Sequence, residues 1–190
     1  TIPNIKITYS LLDDNGTPGN PGDDFQGPFN TIQEGLNAAI TGDAVSVAPG
    51  IYRGTIELKH EVKLISQQGP KATKIIGTGW YAVLQAYAVG ANTYIEGFTI
   101  TGSSYGVLIE DRVSFWGHNY MQIHNCILSD AGVAVSMNPN SHLTITRSLI
   151  YFTSMGINSW FWAVPSLYNV TMDFVSTPLT FYRSWGYVYN

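Results

Sequence analysis

The chain is short of charge. Asp, Glu, Lys and Arg make up 12% of its 190 residues, about half the share of an average soluble protein. The net charge is −4 and no basic run occurs, which argues against a nucleic-acid partner. A single cysteine, Cys126, excludes a disulfide framework within the chain. No apolar run reaches the roughly 18 residues that span a membrane as a helix. The lysines, Lys6, Lys59, Lys63, Lys71 and Lys74, all lie early in the chain. From residue 100 onward the acids are Glu110, Asp111, Asp130 and Asp173, and the bases other than histidine are Arg112, Arg147 and Arg183. The histidines His60, His118, His124 and His142 share no stacking position, so the ligand spacing of a zinc site is missing.

What the chain does have is a repeat. Ile123-His-Asn-Cys126-Ile-Leu128 returns as Ile145-Thr-Arg-Ser148-Leu-Ile150 and again, after the same interval, as Leu167-Tyr-Asn-Val170-Thr-Met172. An earlier copy is Ile95-Glu-Gly-Phe98-Thr-Ile100. A fixed period of this length built from short apolar runs is a solenoid signal. Second apolar runs follow, opened by Gly106, Gly132, Gly156 and Pro178, and these openings read as corners between short strands. Two or three strands per repeat leave no room for a helix, and the frame of a leucine-rich repeat is absent. The reading is an all-β chain, a parallel β-helix in which each strand pairs with its equivalent about 4.8 Å away in the next coil. Residues from 44 onward at about 24 per coil give roughly six coils. The register places Cys126, Ser148 and Val170 at one small inward position, where a buried thiol is expected. It places Arg147 with Asn125 and Asn169 at an outward corner.

Residues 1–12 hold an outlying strand, with Ile5, Ile7, Tyr9 and Leu11 alternating with polar neighbours. A loop rich in Asp, Asn, Gly and Pro follows from residue 13 to 28. Thr31-Ile-Gln-Glu34 is a capping box, and it opens a short helix with Ile32, Leu36, Ala39 and Ile40 as its apolar stripe and Gly42 at its close. Residues 13–43 thus form an opening loop and capping helix, and residues 44–190 the coils. The helix is expected to cover the raw end of the stack.

Asp14-Asn-Gly-Thr17, Gly27-Pro-Phe29-Asn-Thr31-Ile-Gln33, Gly42-Asp43-Ala-Val45 and Pro49-Gly50-Ile-Tyr52 resemble the opening segment of right-handed parallel β-helix proteins of the pectate-lyase-like superfamily, especially its bacterial and archaeal surface proteins. Val62-x-Leu64-Ile65-Ser66, Gly69-Pro70, Thr73-x-Ile75, Gly77 and Ile95-x-Gly97-Phe98-Thr-Ile100 continue the resemblance, which runs from about residue 13 to 175. It implies the right hand of the coil, and a range of activities from pectin cleavage to none. A lyase of that kind needs calcium-binding carboxylates and a Lys or Arg base that removes the proton beside the uronate carboxyl group. The nearest such group is Glu110, Asp111 and Arg112 with Asp130 one coil on; a solvated corner explains the same residues. The paired aspartates and glutamines of the related methylesterases are missing, and the late acids do not suggest the facing pair of a glycosidase. No cofactor is expected, although Asp13, Asn15, Asp23 and Asp24 could collect calcium through oxygen ligands. Asn15-Gly-Thr17 and Asn169-Val-Thr171 are glycosylation triplets.

The stretch from residue 151 to the end holds 12 of the chain's 25 aromatics and carries only Asp173 and Arg183 as charges. Trp160, Trp162, Trp185, Tyr187 and Tyr189 are the candidates for glycan binding or assembly, because aromatic faces stack on sugars and a coil stack without a polar cap is sticky. Low charge, 19 glycines and the aromatic content fit a secreted or cell-surface protein; the start at Thr1 rather than Met fits a processed, secreted protein and a trimmed chain alike. The expected function is that of a non-catalytic building block that self-associates through its C-terminal end, as a surface or filament component. Polysaccharide binding or lyase activity is the alternative. The outlying strand either pairs with its own first coil or adds to another copy.

Overall fold

The structure is a computed structural model that describes residues 5–8, 25–110 and 119–190. It is an all-β parallel solenoid of about six turns with one short helix. In chain order the elements are β1 Ile5–Thr8, β2 Phe25–Phe29, α1 Ile32–Ala38, β3 Ala44–Val47, β4 Gly50–Arg53, β5 Ile56–Leu58, β6 Lys63–Ser66 and β7 Thr73–Ile76. Then come β8 Ala82–Tyr87, β9 Tyr94–Glu96, β10 Thr99–Thr101, β11 Tyr105–Glu110, β12 Asn119–His124, β13 Ile127–Ser129 and β14 Val133–Met137. The last coils are β15 Ser141–Thr146, β16 Leu149–Trp160, β17 Val164–Tyr168, β18 Thr171–Tyr182 and β19 Tyr187–Tyr189.

The strands stack into three faces. The first runs β3-β6-β9-β12-β15-β17-β19, all parallel. The second runs β4-β7-β10-β13 and the third β5-β8-β11-β14. The long β16 joins these two, pairing β13 with its first half and β14 with its second, and β18 repeats it one coil on. Inward side chains form columns down the stack. Ile95, Ile123, Ile145 and Leu167 occupy one column, as the repeat requires, and all are buried. Leu84, Val107, Val135 and Ile157 form another.

The corners differ from expectation. Gly106, Gly156 and Pro178 lie inside β11, β16 and β18 rather than between strands. A Cβ on Gly106 would lie 2.7 Å from the Ala134 carbonyl oxygen in the next coil, so close backbone approach, not turning, is what this position requires. Gly132 stands two positions out of line with them: Val107 pairs with Val135, so the equivalent of Gly106 is Ala134. Two columns of left-handed backbone mark corners of the coil. One is Gly97, Asn125, Arg147 and Asn169, with φ of 80°, 46°, 50° and 53°. The other is Gly102, Asp130, Phe152 and Phe174, with φ of 83°, 51°, 50° and 51°. Glycine, Asn and Asp adopt this conformation readily, whereas Arg and Phe do so at a cost of about 1–2 kcal/mol each. The ladder offsets part of that cost, since Asn125, Arg147 and Asn169 each donate their N–H to a carbonyl of the following coil at 2.9–3.0 Å.

The first-coil end is covered. β1 pairs antiparallel with β3, Ile5 opposite Val47 and Thr8 opposite Ala44, and β2 pairs antiparallel with β1 on its other edge. The outlying strand therefore belongs to its own first coil. β2 falls where the sequence suggests a loop, and as the outermost strand it tolerates Pro28, whose missing N–H interrupts no ladder. The capping box of α1 is formed, with the Thr31 side chain accepting from the Glu34 N–H at 3.1 Å. Ile32, Leu36 and Ala39 are buried, but Ile40 lies past the helix and is exposed, a correction to the apolar stripe. The Gln33 side chain donates to and accepts from the Glu57 main chain, which ties α1 to β5.

At the last coil no described element lies over the outer strands. β18 and β19 are the outer strands of their sheets. Val188 sits directly over Leu167 in the buried column, yet it is 54% exposed while Leu167 is 1% exposed. Phe181, over Ser159, is exposed as well.

Candidate functional site

Outward side chains of the third face build a groove. The register sets Leu108, Ser136 and Asn158 side by side on successive coils, and these form its floor. Glu110 ends β11, Asn138 directly follows β14 and Trp160 ends β16, so the three line one margin. Tyr81, just before β8, and Tyr105 at the start of β11 complete a groove of about 240 Å³. Leu108 and Ser136 point outward yet are only 3% and 5% exposed, because the groove walls stand over them. The Tyr81 hydroxyl donates to Glu110 Oε1 at 3.2 Å, and Asn138 Nδ2 donates to the same oxygen at 3.3 Å. The carboxylate is thus held between two coils. Trp160 is 39% exposed, and its ring lies 5.3 Å from that of Tyr182 in the last coil.

This groove brings together Glu110 and Trp160, to which the sequence assigns separate roles. It does not bring Asp130 with them. Asp130 occupies the left-handed corner before β14, where its Oδ2 accepts from the Thr101 hydroxyl at 3.2 Å. Asn138, which contacts Glu110, lies at the other end of β14, roughly 16 Å of extended strand away. Asp111 and Arg112, the calcium candidates Asp13, Asn15, Asp23 and Asp24, and the triplet at Asn15 lie outside the described residues. Among the described residues that line the groove there is one carboxylate and no Lys, Arg or His. Those residues suit hydrogen bonding and stacking; a facing carboxylate pair or a positioned cationic base is not among them.

The other aromatic candidates sit around the last coil. Trp162 follows β16 in a turn whose N–H donates to the Arg183 carbonyl at 2.8 Å, and the Arg183 guanidinium lies 5.8 Å from the Phe161 ring centroid. Tyr189 stacks on Tyr168 at 4.9 Å with 6° between the planes, and Tyr187 lies 6.3 Å from Tyr189. The aromatic face of β19 therefore points out of the coil, while Val188 faces in. Trp185 is exposed beside them.

Two further concavities are open. One, of about 550 Å³, follows the corner column Asn125, Arg147 and Asn169 and includes Lys71. The other, of about 260 Å³, holds Tyr120 and His142, whose rings stack at 4.6 Å, with Gln122 and Thr144. Among the described residues no group of three or more His, Cys, Asp and Glu could hold a metal ion. His124 is fixed by Thr146 at 2.7 Å and Gln122 at 3.1 Å, and burial lowers its pKa; Glu96 nearby opposes that shift and Arg147 adds to it.

Cys126 occupies the small inward position with Ser148 and Val170, as the repeat implies. Burial pushes its thiol up to about 12, despite hydrogen bonds from the backbone that favour the thiolate. The thiol is therefore expected to resist Ellman's reagent in the folded protein at pH 8 and to react fully once the chain is unfolded in guanidinium. Stoichiometric reaction without denaturant would contradict this placement.

Tyr81, Asn138 and Asn158 escape a reading of the sequence. Their shared groove depends on coil alignment, and the alignment through Gly132 is two positions off. Helices long and apolar enough to cross a membrane are absent among the described residues. No family model, curated protein or solved structure matches the chain. The fold itself defines the class, a parallel β-solenoid whose first coil is paired with β1 and whose last coil is uncovered among the described residues.

Proposed function

We propose that this protein is a non-catalytic module of the extracellular surface, allied to the pectate-lyase-like β-helix proteins and right-handed like them, that self-associates through its last coil. The observation that carries the reading is the exposed end of the core among the described residues. A buried column ends on Val188, and Phe181 and Val188 are exposed on the outer strands β18 and β19. Strands at the edge of a sheet also offer unpaired N–H and C=O groups to a neighbour.

The pairing at the first coil narrows the kind of assembly to propose. A filament needs two different complementary faces. β1 is engaged with β2 and β3 of its own chain, and α1 lies over the same end, so the outlying strand is not free to add to a neighbour, and the edge left in its sheet is β2, which carries Pro28 and adds strands poorly. The contact proposed is last coil to last coil, which is isologous and closes at two copies. Charge supports it: residues 163–190 carry one acid, Asp173, and one base, Arg183, a set that is neutral and complementary to itself.

Light scattering coupled to size exclusion tests the reading. The intact protein is expected at the mass of two chains across a concentration series. Val188→Lys places a charge in the contact and is expected to give single chains with an unchanged melting temperature. A wild-type protein that stays a single chain at the highest concentration overturns the proposal. Deletion of β1, by contrast, uncovers β3 and is expected to lower stability rather than to dissociate copies.

A further inference from the structure

We propose that the groove on the third face binds a neutral glycan, a function separate from the contact at the last coil. Three features of the groove carry this. The first is its chemistry: amide side chains of Asn138 and Asn158 and the hydroxyl of Ser136 sit beside the exposed rings of Tyr81 and Trp160. Amides pair with neighbouring sugar hydroxyls as donor and acceptor at once, and an aromatic face covers the C–H face of a pyranose ring.

The second is order. Glu110 is held by Tyr81 and by Asn138, and Tyr81 also packs edge-on against Tyr105 at 6.2 Å. The floor residues belong to paired strands with a defined register. A rigid site loses little side-chain entropy when a weak polar ligand binds. From Tyr81 beside β8 to Trp160 on β16 the groove crosses three coil steps, about 14 Å, which suits a short oligosaccharide lying along the stack.

The third is charge. Among the described residues, the one acidic side chain lining the groove is Glu110, which accepts hydrogen bonds, and no Lys, Arg or His stands in the lining to pair with the carboxylate of a uronic acid. The groove therefore selects uncharged sugars and disfavours the acidic chains that a calcium-dependent lyase would take.

Isothermal titration calorimetry against neutral trisaccharides of glucose, mannose, galactose and xylose, with trigalacturonate alongside, tests the proposal. At least one neutral trisaccharide is expected to bind, and trigalacturonate to bind at least about tenfold more weakly, since desolvating a carboxylate without a cation to pair with it costs the equivalent of a factor of ten or more. Trp160→Ala is expected to lower affinity about tenfold through loss of one stacking face. Asn158→Ala is expected to lower it several-fold, with the melting temperature of both variants kept. Trp185→Ala, at the last coil, leaves affinity unchanged, and Val188→Lys separates this site from self-association because it alters mass without altering binding. The proposal is overturned if none of the neutral trisaccharides binds at millimolar concentration. It is overturned equally if binding survives Trp160→Ala, or if trigalacturonate is preferred and its binding is lost in Arg147→Ala, which would place the site in the furrow at the corner column.

Discussion

Ile145→Asp is expected to prevent folding. Ile145 is fully buried in the middle of the column Ile95, Ile123, Ile145 and Leu167, with paired strands on both sides. The substitution removes an isoleucine from the core, worth about 2–5 kcal/mol by analogy with truncation to alanine, and it buries a carboxylate among aliphatic neighbours, which costs several kcal/mol more. Together these approach the whole stability of a typical domain, about 5–15 kcal/mol. Circular dichroism in a urea titration is expected to show no cooperative transition. Two companions make the result specific. Ile145→Val keeps the column filled and is expected to cost about 0.5–1.5 kcal/mol. Thr144→Asp, one position earlier and facing outward, is expected to cost about 1 kcal/mol or less. An Ile145→Asp protein with an unchanged unfolding midpoint would mean that this column does not face the interior.

Phe98→Ala carries the next largest expected effect. Phe98 is fully buried and is the largest of the completely enclosed side chains. The register sets it under Cys126, Ser148 and Val170, so one bulky ring fills the level where the following coils use small residues. The coils above are held by their own hydrogen bonds and cannot settle into the space left behind. Ile127 N–H, for example, donates to the Phe98 carbonyl at 2.9 Å. Loss of about 3–5 kcal/mol is expected, seen in urea unfolding as a lower midpoint with an unchanged slope. A loss under about 1 kcal/mol would show that the core collapses around the vacancy and that the column is loosely packed.

Much of the fold was legible because the repeat states it directly. Ile123, Ile145 and Leu167 recur at one fixed interval, and strand pairing between coils reproduces that spacing. The capping box at Thr31 is a local device that needs no partner to be recognised, and it is formed as written. Even the outward corner of Asn125, Arg147 and Asn169 followed from the same phrase. The groove was not legible. Glu110 and Trp160 drew attention singly, for charge and for aromaticity, and nothing local links either one to Tyr81, Asn138 or Asn158.

The division has a physical cause. Alternation of apolar and polar residues decides which side chains face the core, and that much the chain determines by itself. A slip of two positions leaves the alternation intact. The hydrophobic pattern is therefore blind to whether Gly132 or Ala134 lies over Gly106, and the answer came from the backbone: Val107 pairs with Val135. The coils are also unequal. The step from Ile95 to its partner Ile123 is longer than the step from Ile123 to Ile145, a difference that no periodicity in the sequence marks. Inside and outside were settled position by position along the chain. Which outward residues become neighbours, and so whether a carboxylate, two amides and a tryptophan share one groove, was decided only when the coils stacked.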